Sequence, residues 1–443
     1  MVDFKRDYYL NKLVEKENNQ LIKVITGIRR CGKSYLLNKI FYNHLINEQQ
    51  VDKDFIIRFA FDNEEDISLL DKYEDQPSLG YDLNKHLVSS KKFLSFIKEK
   101  TSRDGYYYLL LDEIQNLENF VRVLNSFLYK GNLDVYVTGS NSRFLSSEVD
   151  TEFGGRGDRI HLLPLTFKEF LSGTNLDKRD ALDEYIRYGG IPLIALQNND
   201  ENKANQAISI LSETYIKDLI LRHPNINKQN LTDTLKVIAS MISTPINPNK
   251  ISNTFKSVYN VKVTNDSIDE YINWFSEAYL LNRVYRYDVK GRRYIGTPYK
   301  IYFEDIAIRN AILNFRDIDE TDLIENIVYN ELRYRGFNVD VGVVKIKVKS
   351  DKLDVNGKPI YKDKDTEVDF VANKGNKTYY VQVAYEISSD EKKEQEYTSI
   401  RNIPNSFKKV IIVKNEGKYY YTDEGFLRIS LLDFLLNLDS LDW

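Results

Sequence analysis

Residues 27 to 34 read Gly-Ile-Arg-Arg-Cys-Gly-Lys-Ser, the spacing G-x-x-x-x-G-K-S, and the chemistry open to such a loop is the holding of a polyphosphate. Backbone amides at the start of the helix that follows converge on one point and carry partial positive charge, so a phosphate can replace water there at little cost. Gly27 and Gly32 let the chain wrap closely around the phosphates. Arg29, Arg30 and Cys31 lie between them, Tyr35 follows, and all four join the glycines as expected nucleotide contacts. Lys33 is placed to bridge the β- and γ-phosphates of ATP, and the Ser34 hydroxyl can ligate the accompanying Mg²⁺.

This loop works only between a strand and a helix, and the flanks read that way. Leu21 to Thr26 is a β-branched apolar run, and Leu36, Leu37, Ile40 and Phe41 recur at helical spacing. Tyr106 to Leu111 is unbroken and apolar, as in a parallel strand buried on both faces, and it ends in Asp112 and Glu113. Carboxylates there lie at the edge where open α/β sheets bind ligands. Asp112 is expected to hold Mg²⁺ with Ser34, and Glu113 to orient and polarise the attacking water. A further strand, Asp134 to Gly139, runs into Ser140 and Asn141. Ser140 is the candidate sensor of the γ-phosphate and Asn141 its reserve, against the plain alternative of a Ser/Asn turn. Arg156, in a Gly-Gly-Arg turn, is the arginine expected to neutralise the transferring phosphoryl group, from within the chain or from a neighbour; a solvated loop arginine is the alternative. Thr166 and Glu169 open the next helix as a capping box.

Length and composition bound the rest. A chain of 443 residues suggests two to four domains. The formal charge of −4, with both signs interspersed, marks neither a nucleic-acid nor a membrane binder as a whole. Cys31 is the one cysteine, which excludes an internal disulfide framework and fits a reducing cytoplasm. Its place in the loop raises redox control as a side reading, against that of a variable loop position. The N-terminus is charged where a signal peptide needs an apolar stretch, and no run approaches the roughly twenty apolar residues of a membrane span. A cytoplasmic protein is expected.

The succession of the loop with its paired arginines, Leu109 to Asn116 (LLLDEIQN), Val137 to Ser142 (VTGSNS), Gly154 to Arg156, Leu163 to Phe170 (LPLTFKEF) and Tyr188 to Pro192 (YGGIP) resembles a prokaryotic AAA+ family close to the STAND and archaeal-type ATPases. The resemblance runs over essentially the whole chain. It implies a P-loop ATPase core over 1–173, a helical lid over 174–230, and a nucleotide-facing G-x-P element at Gly190 and Pro192. A Gly-Pro helix terminus is the structural alternative for the last.

Residues 231–305 read as helices followed by a hairpin across Lys290 and Gly291, the order of a winged helix. Lys290, Arg292 and Arg293 could follow a DNA backbone. The candidate recognition helix carries Asp266, Asp269, Glu270 and Glu277, which DNA would repel. In 306–443, Glu367 to Val371 (EVDFV) and Tyr380 to Tyr385 (YVQVAY) resemble the core of the PD-(D/E)XK nucleases. Asp369 matches the first acid there, and Glu325 or Glu331 the helix carboxylate. Gln382 and Ala384 stand where the second acid and the lysine belong, so a nuclease-like domain without hydrolysis is expected.

The chain is thus expected to be α/β, with a P-loop parallel sheet and lid, a winged helix and a nuclease-like domain. Its expected role is an ATP- and Mg²⁺-dependent ATPase that switches conformation. An ATP-regulated binder of DNA or a partner protein is the rival, an ATP-dependent nuclease the second, and homo-oligomerisation is open.

Overall fold

The computed structural model describes residues 4–73, 87–139, 153–316, 318–353, 359–385, 390–415 and 417–443. They divide into two compact units, Phe4–Pro164 and Leu165–Trp443.

In the first unit, five strands form one parallel sheet: β1 (Ile22–Thr26), β2 (Ile56–Ala60), β3 (Tyr107–Asp112), β4 (Leu133–Thr138) and β5 (Gly157–His161), in the order β2-β3-β4-β1-β5. The three central strands, β1, β3 and β4, are buried at every position. Helices on both faces account for this, since the crossovers of a parallel sheet must pass over one face or the other. The expected extra strand is β4, inserted between the loop-bearing β1 and the acid-bearing β3. On one face Phe59, Phe61, Phe93, Phe96 and Phe127 form a mutually packed aromatic cluster. At the N-terminal edge Lys23 of β1 and Asp134 of β4 make a buried ion pair, and the Tyr136 hydroxyl donates to the same carboxylate at 2.8 Å. A short helix, Asp7–Glu15, precedes β1, and its Tyr9 hydroxyl accepts from the Leu163 amide at 3.0 Å.

The second unit holds helices followed by an eight-stranded sheet. Its strands are β6 (Leu281–Asp288), β7 (Arg293–Phe303), β8 (Asn338–Leu353), β9 (Pro359–Lys374), β10 (Lys377–Ala384), β11 (Lys408–Val413), β12 (Tyr420–Tyr421) and β13 (Leu427–Ser430), in the order β12-β13-β11-β10-β9-β8-β6-β7. The expected helices and hairpin of 231–305 are present, but the hairpin does not stand apart as a wing. β6 pairs in parallel with β8 at Arg286 to Asp288, so the expected boundary at 305 falls inside one hydrogen-bonded sheet. The reason lies in the helix Glu320–Tyr334, whose Asn326 accepts from the Phe303 amide at 2.6 Å and donates to the Phe303 carbonyl at 2.8 Å, closing over β7. Helix, three antiparallel strands, helix and a strand parallel to the third follow in order from Glu320 to Val413.

The Tyr188 to Pro192 element is held inside this unit. Asp305 accepts from the Gly190 and Ala307 amides, each at 2.8 Å. A Cβ at Gly190 would lie 2.1 Å from the Leu165 carbonyl oxygen, and one at Gly189, where φ is 65°, 2.4 Å from Asp305 Oδ1. Burial pushes the Asp305 carboxyl up to about 6, against backbone donors that pull it down. The folded chain therefore holds this proton between pH 4 and 6 while the unfolded chain has lost it, so stability falls as pH rises through that window. Burial raises Glu331 in the same direction, to about 7. Urea titrations of the whole chain between pH 4 and 7 should show stability falling, with Asp305 supplying on the order of 2–3 kcal/mol. Asp305→Asn should flatten the slope; equal slopes in the two proteins would remove Asp305 as its source.

A candidate nucleotide site and a buried acid cluster

The loop after β1 turns where glycine is required. Gly27 has φ 142°, and a Cβ there would sit 2.2 Å from the Leu162 carbonyl oxygen that continues β5. Gly32 has φ 98° and faces open space, with no atom within 4 Å of where a Cβ would sit. Helix begins at Lys33 and continues through a π-helical segment, Leu36–Phe41, to Asn47. The Lys33 ammonium donates to the carbonyls of Gly27 and Ile28, at 2.9 and 3.0 Å. It is 5 % exposed and spans the curled loop, so it stands where the cradle closes. Arg30 is exposed in a left-handed conformation, φ 66°, Arg29 is half-buried, and Tyr35 lies beneath the Lys39 ammonium at 4.8 Å. Cys31 is 1 % exposed, so the redox reading fails on access: the thiol faces inward.

Asp112 ends β3 beside this loop. Its Oδ1 accepts from Ser34 Oγ at 3.1 Å and from the Thr138 hydroxyl, and its Oδ2 accepts from Asn38 Nδ2 at 3.2 Å. Burial raises its pKa; Thr138 and Ser34 oppose the rise, and Glu113 and Asp62 add to it. Glu113 turns out of the strand in a left-handed conformation, φ 52°. Its amide donates to Thr138 Oγ1 at 3.2 Å, and its carboxylate accepts from Gln115 Nε2. The register explains the meeting: Ala60 pairs with Asp112 and Ile25 with Thr138, so the C-terminal ends of four strands open on one edge. Ser34 and Asp112 present hard oxygen donors side by side, a set that fits Mg²⁺.

The structure thus brings together Gly27, Gly32, Lys33, Ser34, Asp112 and Glu113. Arg156 is not with them. Its carbonyl accepts from the Ile22 amide at the opposite end of β1, and its side chain is exposed. Five strand residues separate it from Gly27, roughly 16 Å at about 3.3 Å per residue. Supply from within the chain is therefore excluded by geometry; the exposed side chain fits a solvated loop arginine, and supply from another copy is the one form of the finger reading left. Ser140 and Asn141 lie outside the described residues. Gly190 and Pro192 sit in the second unit, held as given above. Sequence reasoning missed Thr138, Asn38 and Gln115 as site residues. Thr138 could have been found, because a β-branched hydroxyl ending a buried strand needs a partner; Asn38 looks like any helix residue.

The second unit collects the expected nuclease-like residues into a buried cluster. Asp369 and Glu367 come from β9, Glu325 from the helix Glu320–Tyr334, and Asp369 Oδ2 accepts from the Val383 amide at 2.7 Å. Of the two helix carboxylates, Glu331 pairs instead with Arg335 at 2.8 Å. A lysine from another strand sits among these acids. Lys300 of β7, 2 % exposed, places its ammonium 2.9 Å from Glu325 and 2.6 Å from Glu367. Tyr302 donates to Glu325 as well. Burial works against the Lys300 charge, but Glu325, Asp369 and Glu367 outweigh it and raise its pKa. Asp369 is raised by burial and by Glu325.

Two substitutions test these assignments. Thr138→Val removes a donor from the buried Asp112, so it should cost about 1–3 kcal/mol in urea unfolding and move the acid limb of any metal-dependent activity to higher pH. Lys300→Met strands three carboxylates and should cost about 3–5 kcal/mol; adding Glu367→Gln should restore part of it.

An AAA domain profile matches residues 19–171, and a domain of unknown function, DUF8612, matches 179–319. An uncharacterized protein of Haemophilus influenzae is 30 % identical over 440 residues, covering 97 % of this chain and 98 % of its own. An uncharacterized protein of Methanocaldococcus jannaschii is 30 % identical over 428 residues, covering 93 % and 85 %. Among solved structures, the Walker-type ATPase of Pyrococcus abyssi matches 70 % of this chain and 96 % of its own at 15 % identity, with a TM-score of 0.45. No helix among the described residues is long and apolar enough to cross a membrane. With a P-loop ATPase domain of the AAA type at its N-terminal end, the chain belongs to the family of the Haemophilus and Methanocaldococcus proteins.

Proposed function

We propose that the protein binds and hydrolyses ATP at the edge formed by β1, β3 and β4, and uses the phosphate state to switch conformation. The observation that carries this reading is the Ser34 hydroxyl 3.1 Å from Asp112, directly after a lysine that spans the curled glycine loop. Amides of the loop and the Lys33 ammonium would bind the β- and γ-phosphates, with Lys33 exchanging the Gly27 and Ile28 carbonyls for phosphate oxygens. Ser34 and Asp112 would hold Mg²⁺, which when bound neutralises charge on the phosphates. Thr138 and Asn38 keep Asp112 oriented, and the Thr138 and Ser34 donors favour its charged form. Glu113 would accept a proton from the attacking water, and Gln115 fixes the direction of its carboxylate. Arg29, Arg30 and Tyr35 border the same loop as further nucleotide contacts. Ser140 or Asn141 as sensor, Gly190 and Pro192 as a lid contact, and Arg156 offered by a second copy complete the proposal.

For the second unit the reading is a nuclease-like fold without hydrolysis. It is supported by the strand order from Glu320 to Val413 and by an ammonium seated among the acids. DNA contact through the hairpin turn belongs to this proposal too.

Nucleotide binding and turnover separate these roles. Lys33→Ala should weaken Mg·ATP binding by about 100-fold or more, as befits the loss of charge-assisted bonds worth about 3 kcal/mol. Glu113→Gln should retain binding and lose about 100- to 10,000-fold in turnover, the usual share of a general base. Equal turnover in Glu113→Gln and the parent would take Glu113 out of the mechanism.

A further inference from the structure

β8 and β9 are each sixteen residues long and pair with one another from Asn338↔Asn373 out to Leu353↔Pro359. Their sheet neighbours stop early. β6 pairs with β8 only at 341–343, and β10 pairs with β9 only at 370–374. Beyond Val344 the two strands therefore run on as a two-stranded ribbon with no other strand beside them among the described residues. Nine residues of β8 lie in it, roughly 30 Å at about 3.4 Å each. An isolated ribbon of this length buries little and gains little stability from itself, so its persistence calls for something to lie against.

The side chains say what. In register, Lys345 stands opposite Asp365, Lys347 opposite Asp363 and Lys349 opposite Tyr361, all exposed on one face. Lys364 and Lys362 stand opposite Ile346 and Val348 on the other. These five lysines and two aspartates make no ion pair with one another. At the root, the turn between β6 and β7 adds exposed Lys290, Arg292 and Arg293, with the Lys290 ammonium 2.6 Å from the Lys345 carbonyl. Among the described side chains the patch thus gathers eight cations against three carboxylates, of which Asp288 is buried, in a chain whose net charge is −4. Ile360 and Tyr361, 41 % and 62 % exposed, end the described part of the ribbon with apolar surface.

We propose that this ribbon, together with the hairpin turn at its root, binds duplex DNA. The major groove of B-form DNA, about 12 Å wide, admits a two-stranded ribbon, whereas the deep, narrow major groove of duplex RNA does not. Lysines at every second position meet the phosphates along the groove walls and release their counterions. Ile360 and Tyr361 contribute apolar contact at the far end. The acidic helix Asn265–Glu277, which a winged-helix mode would push into the groove, has no part in this: its Asp269 is paired with Arg283 at 3.0 Å.

The test uses the whole protein and a fluorescent DNA duplex of about 30 base pairs, with anisotropy read across a salt series. The parent should bind. Lys345→Glu/Lys347→Glu/Lys349→Glu should weaken binding at least 10-fold and lower the slope of log K against log salt by about 0.9 for each phosphate no longer neutralised. The matching Lys→Arg triple should bind like the parent. Basal ATP turnover should be unchanged in both triples, and a circular-dichroism spectrum and urea-unfolding midpoint like the parent's show that the second unit is folded. Should the glutamate triple fold poorly, Arg292→Ala/Arg293→Ala carries the same test at the root and should also lower the slope. Duplex affinity and slope unchanged in the charge-reversed variants would overturn the proposal. So would absence of binding by the parent, equal affinity for duplex RNA, or capture by phosphatidylserine vesicles in place of DNA. Loss of ATP turnover by itself bears on the nucleotide site alone.

Discussion

One buried carboxylate organises the nucleotide edge. Asp112 lies at the end of a strand with both faces covered, where an ionised acid is stable only if donors replace the water it has lost. Three do so: Ser34 and Asn38 from successive turns after the glycine loop, and Thr138 from the neighbouring strand. The carboxylate therefore ties the loop helix, β3 and β4 together, and burial still raises its pKa against the pull of the Thr138 and Ser34 donors. Thr138 goes further, because the oxygen that serves Asp112 also receives the Glu113 amide. The adjacent acids Asp112 and Glu113 are thus both set by a single side chain.

The sheet explains why this happens at one edge. Parallel strands clad on both faces offer polar groups only at their ends, and the register places Gly27, Asp112 and Thr138 at the same end. The opposite edge is closed by a different device, the buried Lys23–Asp134 pair bridging β1 and β4. A pair of that kind adds little net stability but is costly to break, so it holds strand register more than it adds to cohesion. Arg156 lies at this closed edge, a strand's length from Gly27.

The second unit solves a related problem with a charge in place of neutral donors. Here three acids gather near one ammonium, and the compensating charge is Lys300, delivered by a hairpin strand rather than by the strand that carries Ala384. The ion cluster and the Asn326 amide that straddles Phe303 draw β7 onto the helix Glu320–Tyr334. A hairpin with a winged-helix sequence pattern becomes the edge of a larger sheet because those contacts bury charge and apolar surface that a free wing would leave in water.

Local signals carried much of this. The glycines at 27 and 32 with Lys33 and Ser34, the apolar run ending in Asp112 and Glu113, and the capping box at Thr166 and Glu169 are short-range patterns whose steric and hydrogen-bonding causes are written in adjacent residues. So are the strands and helices themselves, since periodicity is a property of neighbours. Neighbouring residues alone therefore specify the phosphate loop, its acids and the alternation of elements around them. Long-range packing is what brings Thr138 and Asn38 to Asp112, sets Arg156 a strand's length from the loop, and seats Lys300 in the acid cluster. Each of those depends on strand order and register, which are set by contacts between residues far apart in the chain, and no run of adjacent residues encodes which distant partner a side chain will find.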